Sequence, residues 1–301
     1  MSTESFQNTA TATATELPGS PLAKPQRPSR RGRIWSTVLF YVVVGFFIFN
    51  VLAMVGTVVL DSLGQQWFTT WLPEGLFTTK WYAFEFSDHD IVQLLENTFI
   101  VAIGTTLAAL IVGFPAAYVL ARKQFRFKGL LMGVYLLPML VPPLAYGIPL
   151  ATVVLRYLGG ELPSIILVNL VPTLPFVILI LVPFIEQVDV SMESASAMLG
   201  ASRLQTFVRV VLPLVVPGLL TASVLAVVRV IALFELTYLV ANADAGTLVV
   251  TLYGDAFAAG MRPMQAINAM AVVYMLTTMI LLVIALFFVK PTQFVVRLKG
   301  Q

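Results

Sequence analysis

The chain has 301 residues, of which 58% are hydrophobic and 11% charged, where an ordinary globular chain carries roughly a quarter charged. That balance excludes a soluble domain, and the absence of cysteine removes disulfides, thiolate nucleophiles and sulfur-based metal sites. The net charge of +3 is too small to argue for nucleic acid as a partner, and the single histidine, His89, cannot build a multi-histidine metal site. Set in FSDHD, His89 reads as a solvated loop residue.

Residues 1–33 are rich in Thr, Ser and Pro and end in the basic run KPQRPSRRGR. They lack the apolar content to fold and read as a disordered basic cytoplasmic tail. Six stretches without Asp, Glu, Lys or Arg follow, at 34–60, 97–121, 129–155, 162–185, 210–228 and 263–289. About twenty apolar residues cross the hydrocarbon core as a helix, so each stretch predicts one transmembrane helix. Residues 34–290 therefore read as an all-α, polytopic six-helix membrane domain, and 291–301 as a cytoplasmic C-terminal tail. The first stretch is too long for a signal-peptide core and is followed by no A-x-A-like site, so it is expected to be retained.

Basic residues concentrate on the cytoplasmic side of membrane proteins. With the N-terminus inside, the inner segments hold fourteen of the eighteen Lys and Arg, and the outer loops hold only Lys80, Arg156 and Arg262. Both termini are thus expected inside. Residues 61–96 form a long outer connection, where Trp67, Trp71, Trp81 and Tyr82 predict an interfacial aromatic belt or a short surface helix.

The most informative segment is the inner connection 186–213, EQVDVSMESASAMLGASRLQTFVRVVLP. Asp189 or Ser191 can cap a short helix, and Gly200 can supply its left-handed stop. Met192, Ala195 and Leu199 recur at helical spacing, opposite Glu193 and Ser194. A second amphipathic element, with Phe207, Val211, Arg203 and Arg209, leads into Leu212-Pro213. A short helix, a glycine break and a second element make a cytoplasmic knob suited to a groove on another protein.

This loop resembles the signature loop of ABC importer permeases. Ser194, Ala195, Ala197, Gly200 and Ala201, then Leu212 and Pro213, stand where that family has its glutamate-alanine-alanine stretch, its glycine and its Leu-Pro. One departure is plain: Ser194 occupies the glutamate position, and Glu193 lies one place earlier. LPEGLFTTKWY, ENTFIVAIGTTLAALIVGFPAAYVLAR and the run to Lys290-Pro291 are also similar to the family. The resemblance implies a type I ABC importer permease in a bacterial inner membrane, with a coupling helix inserted into a separate ATPase subunit. It further implies two ATPase subunits, a second permease that is identical or homologous, and a soluble solute-binding protein. The chain shows no G-x-x-x-x-G-K-[ST]. No enzymatic activity and no bound cofactor are expected of it, with ATP and Mg held by the partner.

Polar groups inside a bilayer are functional suspects. Arg229 and Glu235 interrupt the fifth stretch and, on one helix, would sit about 9 Å apart along it and about 120° apart around it. Prolines at 138, 142, 143 and 149, and at 163, 172, 175 and 183, predict kinks or breaks that free carbonyls. Tyr146 and Asn169 lie near these prolines and offer neutral hydrogen bonds. Arg229, Glu235, Tyr146 and Asn169 are therefore the candidate pathway residues, while Asn97 reads as a helix cap.

Overall similarity is greatest to polyamine/opine-type permeases, including FELTYLVANADAGTLVVTLY. Nine acidic residues on the outer segments, among them Glu85, Asp88 and Asp255, favour a cationic solute. Sugar or phosphonate import stays open, as does an ion-coupled secondary transporter, for which Glu235 is the only intramembrane carboxylate.

Overall fold

The structure is a computed structural model and describes residues 30–65, 77–257 and 262–288. Residues 1–29 of the tail predicted at 1–33, the tail predicted at 291–301, and Trp67, Trp71 and Lys290 lie outside the described residues. The chain divides into two compact units, 1–54 and 55–301. Helix α1 (Arg30–Ser62) runs from the first unit into the second and begins four residues before the predicted boundary, so residues 30–33 are helical rather than part of a tail. Its side chains from Thr37 onward are mostly apolar and exposed, as a lipid-facing helix requires. Asn50 is accommodated by donating its amide to the Phe46 carbonyl at 2.9 Å.

The second unit contains the short helix α2 (Lys80–Asp88) and the long α3 (Ile91–Arg122), followed by α4 (Lys128–Leu140), α5 (Pro143–Leu158) and α6 (Leu162–Glu186). Then come α7 (Val190–Met198), α8 (Arg203–Thr206), α9 (Leu212–Ile231), α10 (Glu235–Val240), α11 (Leu248–Phe257) and α12 (Met264–Phe288). Among the described residues, five continuous helices are long and apolar enough to cross a membrane.

The third predicted stretch is two helices, α4 and α5, bent by 92° at a break of the kind its prolines predict. The tandem prolines explain this. Pro142 drives Val141 into extended backbone at ψ 134°, and Pro143 does the same to Pro142 at ψ 132°. Isolated prolines do not suffice: α6 runs unbroken through Pro172, Pro175 and Pro183, and α3 through Pro115.

Packing of α3, α6 and α9 builds the core. Ala109, Phe114 and Ala117 of α3 meet Val177, Leu181 and Ile185 of α6 and Val215, Ala222 and Ala226 of α9. Lipid offers no hydrophobic drive for helices to associate, so close van der Waals fit has to do that work. Gly218 shows how close the fit is, since a Cβ there would lie 2.5 Å from Phe184 Cγ. A second cluster toward the other end of α3 joins Val101 and Ala102 to Ile165, Val230, Leu236 and Val240. Asn97 is a tie rather than the expected cap. It lies within α3, and its Nδ2 donates to the carbonyls of Asp244 and Gly246, each at 3.0 Å. Trp81 and Tyr82 likewise anchor α2, through Trp81 Nε1 to the Gly64 carbonyl (2.7 Å) and Tyr82 Oη to Ser62 Oγ (2.7 Å).

Candidate coupling and pathway sites

The local chemistry of α7 follows its sequence. Asp189 is the N-cap, accepting from the Ser191 amide at 2.8 Å, and that bond holds its carboxyl below the usual aspartate range. Gly200 ends the helix at φ +84°, where a side chain is strained. Ser202 and Gln205 then form a reciprocal capping box that starts α8. Residues 207–211 form a π-helical turn joining α8 to α9, with the Leu212 amide bonded to the Phe207 carbonyl. The wider turn gives Pro213 room where its ring would clash in a regular helix.

The orientation of α7 is the informative result. Glu193 points into the bundle: Tyr118 Oη donates to its Oε2 at 2.6 Å and Arg122 Nε to its Oε1 at 2.7 Å. Arg122 also donates to the Val188 carbonyl at 2.6 Å, and Ser196 shares a hydrogen bond with Thr206 at 2.8 Å. Phe207 seals the seam against the rings of Phe114 and Tyr118. The polar side of α7 is thus its inner side. Met192, Met198 and Leu199 face outward, with Met198 83% and Leu199 89% exposed. Ser194 is exposed and bonds only back to its own helix, at the Val190 carbonyl. Ala195, Ala197 and Ala201 complete this knob of small residues.

The four pathway candidates stand on four different helices. Tyr146 of α5 lines an apolar pocket of about 320 Å³ at the α4–α5 break, with Leu137, Pro138, Val141, Leu150 and Val171. It lies within electrostatic reach of both Arg229 and Glu235. Asn169 of α6 is fully buried and donates from Nδ2 to Thr237 Oγ1 of α10 at 2.8 Å. Arg229 of α9 places its guanidinium 4.8 Å from the Phe176 ring centroid. Among the described residues, Tyr146 Oη, Asn169 Oδ1 and Arg229 Nε are buried without a hydrogen-bond partner. An orphaned buried polar atom costs about 1–3 kcal/mol, so each of the three is a candidate to meet a partner that the chain itself does not supply.

Glu235 corrects the sequence reading. The helix carrying Arg229 ends at Ile231, and Glu235 opens α10 after a break at 232–234, so the helical-wheel estimate does not apply. No proline or glycine lies in the break.

Residues 109–292 match the family described as the binding-protein-dependent transport system inner membrane component. The match takes in α7, Gly200 and Leu212-Pro213. The chain belongs to this family.

As an ABC importer permease, it is similar to a molybdate/tungstate transport system permease protein of Pyrococcus abyssi, 32% identical over 47% of this chain and 58% of that one. It is also similar to a spermidine/putrescine transport system permease protein of Escherichia coli, 30% identical over 50% of this chain and 62% of that one. Each match spans less than two thirds of the relative's own length. A solved bacterial ABC transporter involved in the import of the acidic polysaccharide alginate shares the fold, with a TM-score of 0.69 at 19% identity. That likeness covers 86% of this chain and 98% of that one. The architecture is that of type I ABC importer permeases, with one span broken.

What the sequence reading missed lies at the far end of α3 from α7. His89 is not a solvated loop residue: its Nε2 meets Asp255 Oδ2 of α11 at 3.0 Å, and its side chain is only 21% exposed. Arg262 binds Glu85 Oε1 at 2.9 Å and Asp255 Oδ1 at 2.9 Å, and it also pairs with Asp88. Burial pushes the Glu85 carboxyl above its ordinary range, against the opposing pull of Arg262. The FSDHD motif showed the residues but not their partners, because Asp255 is 166 positions away from His89.

Proposed function

We propose that this permease subunit moves a small solute across the bacterial inner membrane, driven by ATP hydrolysis on a separate subunit that grips α7. The carrying observation is the orientation of α7. An apolar surface that faces outward while its only acidic side chain is tied to Arg122 is a surface made ready for a partner. Two ATPase subunits, a second permease and a solute-binding protein complete the assembly. ATP and Mg stay on the partner, this chain binds no nucleotide or organic cofactor of its own and carries no catalytic residue, and both termini lie in the cytoplasm. Closure of the ATPases moves α7 and, through Glu193–Arg122, the inner end of α3. Solute then enters a cavity bordered by Tyr146, Asn169, Arg229 and Glu235.

A polyamine- or opine-like organic cation is the favoured solute. The acidic outer segments, Glu235 and the likeness to a spermidine/putrescine permease support it. The likeness to a molybdate/tungstate permease and the unpartnered Arg229 Nε favour an oxyanion instead. Reconstituted complex should take up spermidine in an ATP-dependent, vanadate-sensitive way, and Arg229→Ala or Asn169→Ala should slow it at least about tenfold, near 1.4 kcal/mol in the barrier. ATP-driven uptake of molybdate in place of spermidine would replace the cation with the anion. Uptake that follows a proton gradient without ATP would reject the importer reading.

A further inference from the structure

The ionic cluster that fastens α2 to α11 carries more negative charge than fastening needs. Glu85, Asp88 and Asp255 set three carboxylates against one guanidinium, Arg262, a formal excess of two negative charges. Arg262 occupies Glu85 Oε1 and Asp255 Oδ1. The two oxygens it leaves, Glu85 Oε2 and Asp255 Oδ2, both face His89 Nε2, at 3.7 and 3.0 Å. Glu85 is fully buried, and its Oε2 has no hydrogen-bond partner among the described residues. One donor atom from each of Glu85, His89 and Asp255 can be chosen so that all lie within 4.8 Å of one another.

We propose that Glu85, His89 and Asp255 form a divalent-cation site of the zinc class. Zinc bonds to imidazole nitrogen and carboxylate oxygen run about 2.0–2.2 Å, which sets tetrahedral donors roughly 3.3–3.6 Å apart. The 3.0 and 3.7 Å separations bracket that range. A dication also balances the two surplus charges, and it gives the orphaned Glu85 oxygen its partner. One nitrogen with two carboxylate oxygens suits zinc better than calcium or magnesium, which favour all-oxygen shells. Three protein ligands leave a fourth position, which the partial exposure of His89 opens to water. The ion would cross-link α2 and its C-cap His89 to α11 at the end of the bundle opposite α7, and it would do so whatever solute the permease carries.

The composition makes the test clean, because His89 is the only histidine and there is no cysteine. Full-length permease carrying a histidine-free tag is stripped with chelator in detergent and titrated with Zn²⁺, and separately with Co²⁺ as a spectroscopic probe. One equivalent per chain should bind, Co²⁺ should show the absorption of a low-coordinate site, and Zn²⁺ should raise the Tm. His89→Ala leaves the three Arg262 ion pairs in place, so the variant can be checked for monodispersity and then titrated. It should lose at least about 100-fold in affinity, beyond what loss of a supporting contact produces, and His89→Cys should restore binding through a thiolate. Absence of stoichiometric Zn²⁺ binding by the natural chain, or equal binding by His89→Ala, overturns the site. Stabilisation by acid with no response to Zn²⁺ also overturns it and assigns the cluster to a proton.

Discussion

Glu193 and Ser194 exchange the roles expected from their positions. The family's glutamate place holds a serine that touches only its own helix, while the displaced acid is spent on Arg122 and Tyr118 inside the protein. Glu193 therefore positions α7 against the inner end of α3. Glu193→Ala should lower thermal stability by about 1.5–3 kcal/mol, the range for hydrogen bonds to charged groups, and Ser194→Ala should be nearly silent. A double-mutant cycle of Glu193→Ala with Arg122→Ala measures the coupling directly. A coupling energy near zero would mean that the pair does not hold α7. The displacement of the acid by one place was legible in sequence, but its direction was not: a carboxylate on a short surface helix gives no sign of which way it points.

At the scale of single elements, α7 and α9 show two different uses of glycine. A Cβ on Gly200 would meet nothing within 4 Å, so only its φ of +84° demands glycine. Gly200→Ala should weaken the helix stop by about 1–2 kcal/mol through conformation alone. Gly200→Leu should remain inserted and folded yet lose coupled transport, read as uptake against membrane abundance. Normal uptake by Gly200→Leu would separate the stop from coupling. Gly218 is the reverse case, crowded by the Phe184 ring at its root rather than at a flexible end. Gly218→Val should destabilise the α6–α9 contact by about 1–3 kcal/mol, seen as a lower Tm in detergent, and an unchanged Tm would refute that packing. The caps, the glycine stop and the Pro-Pro break are legible in sequence because each is a local backbone constraint. The break at 232–234 is not, since its residues are ordinary helix formers. There α10 is fixed by packing, with Leu236 and Leu239 lying where a Cβ on Gly147 of α5 would be.

For the whole molecule, hydropathy located every span, because length and charge exclusion are properties of the bilayer more than of any fold. The ends of the helices drifted: charge-free 97–121 became Ile91–Arg122, because charged residues extend a helix beyond the hydrocarbon core. The pathway candidates were picked individually by the expense of polar groups in lipid, and the structure sets them on α5, α6, α9 and α10, three of them with an unpartnered buried atom. The His89 cluster stayed hidden because its members meet only through tertiary packing between segments far apart in sequence.

Docking of an ATP-hydrolysing partner on α7 is the step on which the proposed function rests. A chain without native cysteine allows one placed cysteine to report one contact. Met198→Cys on the outer side of α7, and Tyr157→Cys near the end of α5, would each carry a photo-crosslinker in the purified native complex. Both native side chains are well exposed, at 83% and 75%. Crosslinks from residue 198 to a P-loop-bearing subunit, with none from residue 157, are the predicted result. Crosslinks to that subunit from residue 157 and none from residue 198 would contradict it.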